Sequence, residues 1–81
     1  MEEVRRMKLS IGGNWYIARL IEKIGFNLSG SRYKDGMMAQ VFVEENDCYA
    51  DLFRCERADQ FTEDKVAMAI EAFYRAYNEE D

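Results

Sequence analysis

Turn-forming residues recur through the first two thirds of this chain and mark where its elements should begin and end. Gly12-Gly13, Gly25, Asp35-Gly36 and the run Glu44-Glu45-Asn46-Asp47 punctuate it. Glycine reaches positive φ without a Cβ penalty, and Asn and Asp tolerate it better than most, so each site can reverse or stop the backbone. An uninterrupted stretch comes only after Thr62. These breaks divide the chain into candidate elements, strands and two helices.

Met7-Lys8-Leu9-Ser10-Ile11 alternates apolar and polar residues and reads as a short half-buried strand. Ile17, Leu20, Ile21 and Ile24 then fall at i, i+3, i+4 and i+7. With Asn14 as N-cap and Gly25 as terminator, that spacing predicts an amphipathic helix over 14–25. Phe26, Leu28 and Tyr33 flank a loop-like Ser29-Gly30-Ser31 and give a weaker strand signal. Asp35-Gly36 predicts a hairpin turn into a strand over 37–43. The acidic run 44–47 turns again into a partner strand over 48–56. Ala39, Val41 and Val43 face one way and Met38 and Phe42 the other, and Leu52 and Phe53 are adjacent. Strands apolar on both faces are covered twice, or leave one face to another chain.

Thr62 caps the last helix, with Glu63 and Asp64 in its first turn and Phe61 and Val66 placed as a hydrophobic staple. Val66, Ile70, Phe73 and Tyr77 form its core stripe. Between Val66 and Tyr77 only Glu71 and Arg75 are charged, which predicts burial on more than one side. The expected fold is one α+β domain over 1–81 in β-α-β-β-β-α order, an antiparallel sheet with two helices packed on one face. Residues 1–6 are expected to lie outside the ordered core. From residue 14 onward the order α-β-β-β-α resembles that of double-stranded RNA-binding domains, over most of the chain. That family offers lysines to phosphate at the start of its last helix. Thr62-Glu63-Asp64-Lys65 stands there instead, which disfavours RNA binding by that route.

Composition excludes several chemistries. There is no histidine, so the commonest general base is absent and a Cys/His zinc site cannot form. Ser10, Ser29 and Ser31 lack a base, and the carboxylates fall in a turn and a short strand where water would solvate them. No enzyme activity, metal or cofactor is expected. The turn at 44–47 does not meet the glycine and distal glutamate demands of an EF-hand loop, and Gly12-Gly13-Asn14 lacks the lysine and hydroxyl of a phosphate loop. Cys48 and Cys55, seven residues apart in one strand, should lie roughly 23 Å apart on opposite faces and stay reduced. No apolar run approaches the roughly 20 residues that cross a bilayer, so no membrane association and a cytoplasmic location are expected.

Charge carries the remaining signal. Residues 1–43 hold four acids and seven bases, whereas residues 44–81 hold twelve acids and four bases. Direct nucleic-acid binding through Arg5, Arg6, Lys8, Arg19, Lys23, Arg32 and Lys34 with Trp15, Tyr16 and Tyr33 is opposed by that acidic half. Glu44, Glu45, Asp47, Asp51, Glu56, Asp59, Glu63 and Asp64 point instead to a basic partner. The expected function is a non-enzymatic inhibitor or adaptor, of the kind phages encode, that imitates nucleic-acid charge on the basic nucleic-acid-binding surface of another protein. Alternate carboxylates on a strand fall about 6.6 Å apart, so the imitation would be loose and salt-sensitive. The alternative is a structural homodimer or small subunit closed by Met68, Ala72, Ala76 and Tyr74 on the last helix and by the second sheet face.

Overall fold

The computed structural model describes residues 2–79, which form a four-stranded antiparallel meander followed by one helix. The strands β1 (Glu2–Ile11), β2 (Asn14–Phe26), β3 (Arg32–Val43) and β4 (Cys48–Cys55) lie side by side in chain order, and α1 spans Glu63–Glu79. Single 3₁₀ turns, Glu44–Asn46 and Ala58–Gln60, lead into β4 and towards α1. Of the stretch 1–6, residue 1 lies outside the described residues and residues 2–6 belong to β1.

The expected two-helix order is therefore corrected to β-β-β-β-α, and the likeness to the α-β-β-β-α order falls with it. The segment read as a helix over 14–25 is β2. Gly12 and Gly13 explain why: at φ +57° and +84° they form a two-residue turn with both central residues left-handed, the geometry that matches strand twist. Ile11 pairs with Asn14 across it, and the ladder runs on through Leu9–Tyr16 and Met7–Ala18. Tyr16, Ala18 and Leu20 then face the core, while Ile17, Arg19 and Ile21 face the other way. Isoleucines and the Trp15-Tyr16 pair suit that pleated environment better than a helix interior. Gly25 ends nothing; it pairs with Tyr33, whose ring occupies the space a Cβ would need.

Asp35-Gly36 is likewise not the hairpin turn. Gly36, at φ +75°, sits inside β3 beside an irregularity where the register shifts between Glu22 and Ile24. The reversal lies at 27–31 instead, where Asn27 Oδ1 accepts the N–H groups of Ser29 and Ser31, each at 3.0 Å. A bulge between β3 and β4 explains the adjacent Leu52 and Phe53. Ala39 pairs with Phe53 but Gln40 pairs with Asp51, so Leu52 is the extra residue and both apolar neighbours pack towards the core. The same slip puts Cys48 and Cys55 on one face rather than two. Cys48 is exposed, Cys55 is buried, and both are free.

The core is one layer deep. Leu9, Ala18, Leu20, Ala39, Val41, Val43 and Cys55 of the sheet meet Phe61, Val66 and Ile70. The staple pair Phe61 and Val66 is fully buried, and Thr62 Oγ1 accepts the Lys65 N–H at 3.3 Å. Extents of 47 × 31 × 18 Å fit a sheet with one helix upon it and no further layer. No described helix is long and apolar enough to cross a membrane.

Candidate functional site

Because α1 covers one face of the sheet, the other face has no layer of its own chain over it among the described residues. Arg6, Arg19, Gln40 and Asp51 stand in register across it, one from each strand. Arg19 Nε donates to Gln40 Oε1 at 2.9 Å, and Gln40 Nε2 donates to Asp51 Oδ1 at 2.7 Å. The Arg19 guanidinium lies 3.6 Å from the centre of the Tyr49 ring, which meets Phe42 edge-on at 5.2 Å. Ordering long side chains costs rotamer entropy, and these hydrogen bonds and the ring contact offset it. Arg6 is held from Glu3 by two contacts of 2.9 and 3.2 Å. That hydrogen bond keeps the Glu3 carboxyl below the usual range and raises the Arg6 guanidinium. Ile21 is on this side too, only 5% exposed though outside the core cluster.

The sheet opens at one end. The β2–β3 ladder stops at Ala18–Val41, leaving Asn14 to Ile17 paired with β1 alone while β3 turns away into Glu44. Into the gap comes the later part of α1, whose Tyr74 meets Tyr16 at 5.5 Å. The result is an open cleft of about 610 Å³ lined by Trp15, Tyr16, Ile17, Phe42 and Tyr74 together with the exposed Glu44 and Glu45. Lys8 and Asn14 complete the lining, and the Lys8 ammonium stands 5.4 Å from the centre of the Trp15 ring. Burial raises the Tyr74 phenol above its ordinary range, with Glu45 and Glu44 adding to the effect.

The eight acidic residues expected to form one partner surface fall into two groups and a singleton. Glu44, Glu45 and Asp47 are exposed on the turn beside the cleft, and none makes an ion pair among the described residues. Asp47 is fixed in the left-handed region at φ 52°, with its N–H bonded to Glu44 O at 3.1 Å. Asp51 belongs to the sheet-face network. Glu56, Asp59, Glu63 and Asp64 lie past the far end of β4, whose eight residues separate the groups by roughly 23 Å. There Glu56 is 3.9 Å from Arg54 and Asp59 is 3.1 Å from Arg57, whereas Glu63 and Asp64 make no ion pair among the described residues. Met68, Ala72 and Ala76 share the outward side of α1; Tyr74 is on the inward side, against Tyr16 and the core.

Ile17, Phe42, Tyr49 and Gln40 belong to none of the sites that the sequence marks out. Their signal is the period of two: once β2 is a strand, Trp15, Ile17 and Arg19 alternate outward with Phe42, Gln40, Tyr49 and Asp51 beside them. No family model, curated protein or solved structure matches the chain. Fold and site define a structural class, a four-stranded meander roofed on one face by a C-terminal helix. No group of three or more cysteine or carboxylate side chains able to hold a metal converges among the described residues.

Proposed function

We propose that the chain is a non-enzymatic protein-binding module that engages the basic, nucleic-acid-binding surface of another protein and inhibits it by charge imitation. The observation behind this reading is the turn after β3. Glu44, Glu45 and Asp47 project from a hydrogen-bonded turn, and no cation among the described residues is paired to them. Carboxylates that repel one another and stay unpaired favour a positively charged partner, which binds fast and lets go in salt. Glu63 and Asp64, also without an ion pair among the described residues, extend the charge to a second point roughly 23 Å away. Asp51, Glu56 and Asp59 contribute less, since each already has a partner in the chain. A cytoplasmic location, where such partners are met, belongs to the same proposal.

The test is capture from nuclease-treated lysate on the tagged protein, eluted in salt steps, beside the Glu44→Gln/Glu45→Gln/Asp47→Asn variant. The asparagine keeps position 47 compatible with its left-handed backbone. A protein released at moderate salt, absent from the variant and displaced from its own nucleic acid by the wild type, supports the reading. Equal capture by both proteins, or no inhibition by the captured pair, refutes it.

A second reading is self-association through α1. Met68 is 71% exposed and lies one and two turns from the exposed Ala72 and Ala76. Sedimentation across a concentration series in high salt, with Met68→Glu as control, distinguishes an apolar dimer from a monomer.

A further inference from the structure

The cleft at the open end of the sheet carries more information than the acids beside it. Its walls are aromatic: Trp15 is 66% exposed, and Phe42, Tyr16 and Tyr74 present further ring surface. Its lining includes two carboxylates, and a cation already rests against one wall, the Lys8 ammonium over Trp15. Aromatic faces attract cations through their quadrupole, and a planar guanidinium can stack on a ring while its edge donates to a carboxylate. An apolar guest would leave Glu44 and Glu45 beside it without a counter-ion, and an anion would meet both of them. Lys8 offsets one of the two negative charges and leaves the lining net acidic.

We propose that this cleft receives an arginine side chain from a basic segment of the partner protein, stacked among Trp15, Phe42 and Tyr74 and held by Glu44 and Glu45. This deepens the protein-binding reading above and rests on it. The cleft volume exceeds one side chain, so the neighbouring residues of the segment lie in it as well. Lys8 acts as an internal stand-in that the incoming guanidinium displaces from Trp15. The sheet end thereby supplies geometry, where charge alone would supply only attraction.

Trp15 is the single tryptophan of the chain, so its fluorescence reports the cleft directly. The probe is a capped penta-arginine peptide, with the penta-citrulline peptide as its neutral isostere. The expected result is a saturable change in Trp15 emission with arginine and none with citrulline. Glu44→Gln/Glu45→Gln should weaken binding roughly tenfold or more, and Phe42→Ala roughly fivefold. Glu63→Gln/Asp64→Asn removes the same charge at the far end and should leave binding within about twofold, the screening that a Debye length of roughly 8–10 Å allows. Lys8→Met should strengthen binding by removing the internal competitor. Equal losses from the two acidic double variants, or weaker binding in Lys8→Met, would overturn the proposal. If the lysate partner is lost from the 44/45/47 variant while the peptide leaves Trp15 unmoved, the partner reading stands and the cleft assignment falls.

Discussion

Replacing Ile70 with alanine tests whether one helix face is what closes this core. Ile70 is 1% exposed and packs with Val66 and Phe61 against the sheet. The change removes three carbons, about 2.4 kcal/mol at roughly 0.8 kcal/mol each. A cavity term adds to this, within the range of about 2–5 kcal/mol for such truncations. Alanine's better helix propensity returns a few tenths of a kcal/mol. The net loss should be about 3 kcal/mol, from a domain whose whole stability is of order 4–12 kcal/mol. With a urea m-value of about 1 kcal/mol/M for a chain this small, the midpoint falls by about 3 M. Met68→Ala, on the outward side, should cost within about 0.5 kcal/mol. Circular dichroism at 222 nm during urea unfolding reads both. A loss below about 1 kcal/mol for Ile70→Ala refutes the single-layer core. A Met68→Ala loss as large as that of Ile70→Ala, and growing with protein concentration, means that the outward face is covered by a second copy.

Gly12→Ala and Gly13→Ala should each cost about 1 kcal/mol in the same assay, because both positions have positive φ, while Gly12→Asn should cost less. Equal costs would mean that turn geometry does not pin the β1–β2 hairpin. Cys48 should react with a thiol reagent in the native state and Cys55 only on unfolding, since burial also raises the Cys55 thiol. Two equally fast thiols would contradict the bulge-defined packing of β4. Cys55 and Tyr74 both have raised proton affinities, chiefly from burial. Below the ordinary values, about 8.5 and 10, their contribution to stability is complete. Above them the unfolded chain ionises first, so stability falls as pH rises through the folded values. Cys55→Ala and Tyr74→Phe should each flatten that alkaline fall, whatever they do to stability at neutral pH. Unchanged slopes would refute it.

What the sequence determined by itself is whatever short-range chemistry decides. The C-terminal helix is written in Thr62, the Phe61–Val66 staple and the 3.6-residue spacing of Val66 and Ile70. The turn at 44–47 and the strands on either side of it are equally local. The concentration of acids after residue 43 needs no structure to be read. Tertiary structure decided the rest. Residues 14–26 fit a helical stripe and a strand alternation at once, and the tie is broken by pairing with β1 across Gly12-Gly13, a hairpin turn whose signal lies outside the segment that the helical spacing describes. Leu52-Phe53 suggests a strand covered on both faces, yet a one-residue bulge turns both inward, because side-chain direction follows register and register belongs to the pair of strands. The cleft exists only because β2 outruns β3 and α1 folds back to that end. Trp15, Phe42, Glu44 and Tyr74, scattered along the chain, become neighbours through that geometry alone.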